Sequence, residues 1–237
     1  MRYPGGKAGP GVYQRIICQM PPHDVYVEPF LGGGAVMRYK RLARLNVGID
    51  LDGAVVQRAA DLARAGEWIS RSTSAGSGES AAFEFLHQDG VAWLARWTAP
   101  PRTLVYCDPP YLMSARSSQQ RKYRCELSSA DHARLLEVVQ RLPCMVMVSG
   151  YPSEVYDLAL SSWRVIRYRT MTHGGPRTEC LWMNYLEPAE LHDYGYLGEG
   201  FRERERIRRM QARWRRRLAV MPSLERYALL SAIRARL

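Results

Sequence analysis

The chain has 237 residues, of which 46% are hydrophobic and 24% charged. That is enough for one large α/β domain or for one domain with a small appendage, and it excludes wholesale disorder. The formal net charge of +11 is unevenly placed: from Phe201 onward there are 12 arginines and 3 glutamates, against 22 basic and 20 acidic side chains before it. A near-neutral body with a strongly basic C-terminal segment points to a polyanionic partner.

Residues 1–11 read Met-Arg-Tyr-Pro-Gly-Gly-Lys-Ala-Gly-Pro-Gly. Gly5-Gly6 lets the backbone pass close to a ligand, with Lys7 as a nearby cation. A short helix is expected over residues 12–19. Val25-Tyr-Val-Glu-Pro-Phe30 reads as a strand that breaks into Leu31-Gly32-Gly33-Gly34, and a helical pattern follows over 35–45. Strand, glycine turn and helix form the layout of a nucleotide-type cofactor site. Val47-Gly-Ile-Asp50 is a second short strand ending in an acid, where such units bind ribose hydroxyls. Asp52 reads as the cap of a helix over 54–65.

Residues 70–80 are Ser- and Gly-rich and read as a surface loop. A strand over 83–89 ends in Asp89, and a helix follows over 90–97. Asp89 is therefore both a candidate helix cap and a candidate site acid at the same sheet edge as Asp50. Leu104-Val-Tyr-Cys107 is a buried-type strand that stops in Asp108-Pro109-Pro110-Tyr111. Two prolines fix φ and lack N–H groups, so the turn is stiff. It is expected to aim one carboxylate, one proline carbonyl and one aromatic ring outward from a strand's carboxyl end. That set suits a flat heterocycle with an exocyclic amine: two acceptors for its N–H bonds and a ring to stack on.

The loop that follows holds Arg116, Arg121, Lys122, Tyr123 and Arg124 with no acid among residues 112–124, as a nucleic-acid contact requires. A helix over 129–140, a strand over 144–149, a short helix over 155–160 and a strand over 163–169 come next. A turn is expected over 170–178, a last strand over 179–185 and a linker over 186–200. The basic segment reads as a helix over 202–220, with Ile207, Met210, Trp214, Leu218 and Met221 on one face, and a final helix capped by Ser223. Five widely spaced cysteines without a C-x-x-C predict reduced thiols, and five histidines without an i, i+4 pair predict no metal. No leader and no long apolar run are present, so a soluble, cytoplasmic protein is expected.

In this order the segments resemble the D12 class of DNA adenine-N6 methyltransferases, the Dam-like family, through most of residues 1–187. Arg2-Tyr-Pro-Gly-Gly-Lys7, Glu28-Pro-Phe-Leu-Gly-Gly-Gly34 and Asp108-Pro-Pro-Tyr111 carry the resemblance, with Ser149-Gly-Tyr-Pro152 and Arg177-Thr-Glu-Cys-Leu-Trp-Met-Asn184 similar to later family segments. The resemblance implies an S-adenosylmethionine-dependent methyltransferase fold: a seven-stranded, mostly parallel sheet with helices on both faces, over residues 1–187, followed by a linker and basic extension over 188–237. It implies S-adenosyl-L-methionine held by Tyr3, Lys7, Phe30, Gly32, Gly34, Asp50, Asp89 and Asp108, with Lys7 at the methionine carboxylate. Asp108, Pro109, Pro110 and Tyr111 would act on an adenine flipped out of double-stranded DNA. RNA, cytosine N4, or a catalytically dead binding module on the same fold are the alternatives, and a monomer or weak dimer is expected. The family's recognition insertion does not fit between Asp50 and Asp108, so base reading is expected to fall to residues 112–128 and the basic tail.

Overall fold

The computed structural model describes residues 6–9, 11–68, 81–116, 123–172 and 175–235. Five strands run parallel: β1 (Val25–Glu28), β2 (Leu45–Asp50), β3 (Ala82–His87), β4 (Thr103–Cys107) and β5 (Met145–Gly150). β7 (Gly175–Met183) lies antiparallel between β5 and β6 (Arg164–Thr172). The order β3-β2-β1-β4-β5-β7-β6 is the sheet of the S-adenosylmethionine-dependent methyltransferase fold, as expected. The chain steps outward from β1 to β3, then returns to β4 beside β1. That reversal opens a crevice at the carboxyl ends of β1 and β4.

The helices are α1 (Val12–Ile17), α2 (Ala35–Tyr39), α3 (Gly53–Arg64), α4 (Gly90–Arg96), α5 (Ser129–Arg141) and α6 (Glu154–Ala159). Right-handed crossovers put α2 and α3 on one face of the sheet and α4 and α5 on the other. Val27, Val105 and Val146 alternate toward Val91, Leu94, Leu135 and Val139, which form the core of the second face. Their neighbours Tyr26, Leu104, Tyr106 and Met147 are equally buried and point the opposite way. Burying both faces is why these strands read as near-continuous apolar runs.

Four boundaries differ from the sequence expectation. The helix expected over 35–45 stops at Tyr39, because Lys40 turns extended. The buried Lys40 ammonium donates to Asn46 Oδ1 at 3.0 Å and to the Arg41 carbonyl at 3.1 Å, and the Arg41 N–H donates to Asp193 at 2.8 Å. The turn expected over 170–178 is instead the end of a long hairpin, paired from Arg164↔Met183 to Thr172↔Gly175. His173 and Gly174 lie outside the described residues. The expected linker starts late: His192 and Asp193 are buried, and the structure divides between Tyr194 and Gly195. In the second unit, α7 (Phe201–Val220) and α8 (Ser223–Arg234) follow one another across Met221-Pro222. Ser223 is the first helical residue of α8 rather than its cap. Along the expected apolar stripe of α7, Ile207 is buried while Met210 and Trp214 are exposed.

Three histidines, His23, His132 and His192, are buried in the body. The His23 and His192 rings stack at 3.7 Å, and His132 Nδ1 lies 2.7 Å from the Tyr156 hydroxyl. Burial, aided by Arg116, pushes His132 down to about 4; burial, aided by Lys40 and Arg41, pushes His192 to about 3 and His23 well below its ordinary value. The unfolded chain protonates these rings near 6.5, so their contribution is intact above that pH. It is lost as pH falls below about 6.5, toward about 4 for His132 and about 3 for His192, at about 1.4 kcal/mol per pH unit for each proton the unfolded state gains. An NMR titration of the imidazole C–H signals should find these rings still neutral at pH 5; a ring that titrates near 6 would contradict the assignment.

Candidate active site

The crevice is a cleft lined by Lys7, Phe30, Gly32, Gly34, Asp50, Asp89, Asp108, Pro110 and Tyr123, among others. The turn after β1 explains its floor. Gly32 and Gly34 have φ of 49° and 58°, a left-handed backbone that glycine adopts without strain. At Gly34 a Cβ would also meet the buried Trp68 ring at 2.6 Å. Asp50 braces this turn from the end of β2: one carboxylate oxygen accepts from the Gly32 N–H at 2.8 Å, the other from the Asp52 N–H at 2.9 Å. Burial pushes the Asp50 carboxyl up, against these hydrogen bonds. Each oxygen keeps a lone pair for another donor. Leu51 beside it is 55% exposed, an apolar side chain left in the cleft.

Asp89 serves as a cap, accepting from the Val91 and Ala92 N–H groups at 2.8 and 3.0 Å, and it lines the cleft as well. Both roles expected for it are thus compatible. The β1 turn and α4 meet at Gly90, where a Cβ would stand 2.0 Å from the Pro29 carbonyl oxygen. Gly90→Ala should therefore cost about 1–3 kcal/mol by forcing the two walls apart. The check is the urea midpoint; no change would mean that Pro29 yields freely.

Asp108 lies just beyond β4 and opens onto the same cleft as the glycine turn. Its Oδ1 is 2.8 Å from the Lys7 ammonium, and their side chains are 20% and 6% exposed. Burial alone would discharge this lysine. Asp108 and the nearby Glu179 outweigh it and hold Lys7 charged, well above its ordinary range. Burial pushes Asp108 up while Lys7 pulls it down, and the net direction is up. The geometry supports an ionised pair. Lys7, expected at a cofactor carboxylate, is thus held by the residue expected to grip the target amine.

Tyr111 departs from the outward-facing ring expected of it. It is 7% exposed, its hydroxyl donates to Glu179 Oε2 at 2.6 Å, its ring meets the Tyr151 ring edge-on at 4.6 Å, and the Lys7 ammonium stands 4.9 Å from its centre. Pro109 is buried and Pro110 lines the cleft. The Lys7 ammonium thus contacts both the Tyr111 ring and Asp108, and Lys7 and Asp108 line the cleft.

Of the residues expected to touch nucleic acid, Arg116 is not available at the surface. Both its terminal nitrogens bond Glu126, at 2.9 and 2.6 Å, and its Nε donates to the Tyr111 carbonyl at 2.7 Å. An acid ten residues on, beyond the stretch read as acid-free, captures it. Tyr123 sits under the Arg116 guanidinium at 5.1 Å and forms part of the cleft wall. Arg124 is exposed and reaches Asp52 at 3.1 Å. Tyr3, Arg121 and Lys122 lie outside the described residues.

Sequence reasoning gave no role to Glu28, Leu51, Glu126, Tyr151 or Glu179. Glu28 carried a signal: like Asp108 it precedes a proline at a strand's carboxyl end. It accepts from the Tyr26 hydroxyl at 2.7 Å, and burial, opposed by Tyr26 and Lys40, pushes it up to about 8. Among the described residues, no group of three or more His, Cys, Asp or Glu side chains is placed to hold a metal, and no helix is long and apolar enough to cross a membrane.

No family model and no curated protein matches this sequence. Solved structures are similar at low identity. An rRNA methylase from Streptococcus thermophilus is 13% identical, with 73% of this chain and 94% of that one covered and a TM-score of 0.47. The magnesium protoporphyrin IX methyltransferase of Synechocystis PCC 6803, solved with bound SAM, is 13% identical over 74% and 76%, at 0.45. A dimethyladenosine transferase from Plasmodium falciparum is 11% identical over 74% and 62%, at 0.45. Likeness of this degree says nothing about a substrate.

Proposed function

We propose that this protein transfers a methyl group from S-adenosyl-L-methionine to the N6 amine of adenine in double-stranded DNA. The observation that carries the reading is that Asp108, at the end of β4, opens onto the same cleft as the glycine turn, Asp50 and Asp89. The donor set fits the cofactor. Asp50 keeps lone pairs for ribose hydroxyls, and Leu51 and Phe30 offer apolar surface to an adenine ring. When bound there, the cofactor supplies a methyl group on a positively charged sulfur.

The residues of the chain would then divide the work. Asp108 and the Pro109 carbonyl accept the two N–H bonds of the target amine, which draws its lone pair out of conjugation with the ring. Holding that lone pair in line with the methyl supplies much of the rate. Asp108 takes the amine proton as the nitrogen gains its methyl group and passes it to solvent; its upward-shifted carboxyl suits that task. Lys7 balances Asp108 until the amine takes its place.

The test is to incubate the full chain with radiolabelled cofactor and unmethylated DNA, then digest to nucleosides. N6-methyladenine is the expected product. N4-methylcytosine, or label in RNA alone, would replace the reading with one of its alternatives. Double-stranded DNA is also the partner that fits the exposed arginines of α7. Deleting residues 201–237 should weaken DNA binding and flatten the slope of log K against log salt, while cofactor affinity stays the same. An unchanged slope would refute that role for the tail.

A further inference from the structure

The β6–β7 hairpin carries a buried polar group that the proposed chemistry does not use. Tyr168 and Glu179 are partners across the two strands, so they share a face of the sheet, and Thr170 lies on that face two residues along. All three are buried, at 5%, 6% and 8% exposed for Tyr168, Glu179 and Thr170. Glu179 is occupied by the Tyr111 hydroxyl. The hydroxyls of Tyr168 and Thr170 have no hydrogen-bond partner among the described residues. Lys7, Asp108 and Glu179 lie near enough to Tyr168 to act on its charge. A buried hydroxyl without a partner is uncommon and costs free energy, so two side by side call for a reason.

We infer that this side of the hairpin is the pocket for the target base, with the Tyr168 and Thr170 hydroxyls donating to ring nitrogens of a purine. The inference rests on the functional reading above and deepens it. An adenine carries its amine between the acceptor nitrogens N1 and N7, with N3 on a further edge. Asp108 is an acceptor and suits the amine; two hydroxyl donors suit the ring nitrogens. Tyr111 is tied by its hydroxyl to Glu179 on this same face and packs against Tyr151, so its ring must give way for a base to enter. A site built to hydrogen-bond its substrate discriminates sharply, because a base lacking the matching acceptor leaves both hydroxyls unpaired.

The experiment uses the full chain with Tyr168→Phe and Thr170→Val, which delete the hydroxyls and keep the shapes. The expected result is an unchanged or slightly higher unfolding midpoint, unchanged cofactor affinity by calorimetry, and about a tenfold fall in kcat/KM for DNA from each variant. On DNA carrying 7-deazaadenine or 3-deazaadenine, one of the two variants should lose no more activity than the wild type, because the acceptor is already gone. A fall in the unfolding midpoint would overturn the inference by showing the hydroxyls to be structural. Activity equal to wild type, or a loss of cofactor affinity instead, would also overturn it while leaving the methyltransferase reading intact. If the wild type labels no nucleic acid at all, the functional reading falls, and the pocket falls with it.

Discussion

Replacing Asp108 with asparagine should lower methyl transfer by about 10³-fold while cofactor binding survives. The magnitude is that of removing one preorganised electrostatic contact from a dry active site. The amide keeps the size and one acceptor but turns an N–H pair toward an amine that is itself a donor. It also removes the negative charge that suits a nitrogen becoming positive. Lys7 loses its counter-ion at 2.8 Å but retains Glu179 within electrostatic reach, so the fold should tolerate the change better than Asp108→Ala would. Label transfer at saturating cofactor, beside a calorimetric titration of the cofactor, separates the two effects. Activity within threefold of wild type would remove Asp108 from the chemistry.

Arg116→Ala should be the most destabilising single change in the loop after Tyr111, at about 3–5 kcal/mol. The Arg116 and Glu126 side chains are 3% and 9% exposed and joined by two short hydrogen bonds. Removing the guanidinium strands a buried carboxylate and frees the Tyr111 carbonyl, which Arg116 also holds. Glu126 accepts from the Tyr123 N–H at 3.0 Å, so the cleft wall loosens too. Against a total stability of about 5–15 kcal/mol, this is a large share. Urea unfolding measures it, and a cost below about 1 kcal/mol would mean that the pair is solvated in the folded protein. An Arg116→Met, Glu126→Leu double variant should recover part of the loss, because no charge is then left unpaired.

Arg116 also shows where reading along the chain fails. Its neighbours are basic, so it reads as part of a surface patch; its fate was set by Glu126, whose capture of it needs the loop to close. The same holds for Tyr111, whose hydroxyl partner Glu179 lies 68 residues away. The helical periodicity over 35–45 continues past Tyr39, while the contacts that hold the chain extended there include one from Asp193, 152 residues from Arg41. Thr170 to Thr178 lacks an apolar alternation, so the sequence alone predicts a turn there. The pairing of β6 with β7 runs to Thr172↔Gly175 through backbone hydrogen bonds, which carry no side-chain signature.

Local chemistry was legible along the chain. Runs of apolar residues ending in an acid, a glycine turn and a proline pair placed Asp50, Asp89 and Asp108 at strand ends, and the alternation of strand and helix made the sheet mostly parallel. Glycine, proline and β-branched residues act on the backbone within a few positions, so such features survive without knowledge of the rest of the chain. Which polar groups meet was settled only by the fold: Lys7 with Asp108, Arg116 with Glu126, and the Tyr111 hydroxyl with Glu179. The free energy of a buried ion pair depends on distance and lost hydration, and neither is defined until the sheet has brought distant segments together.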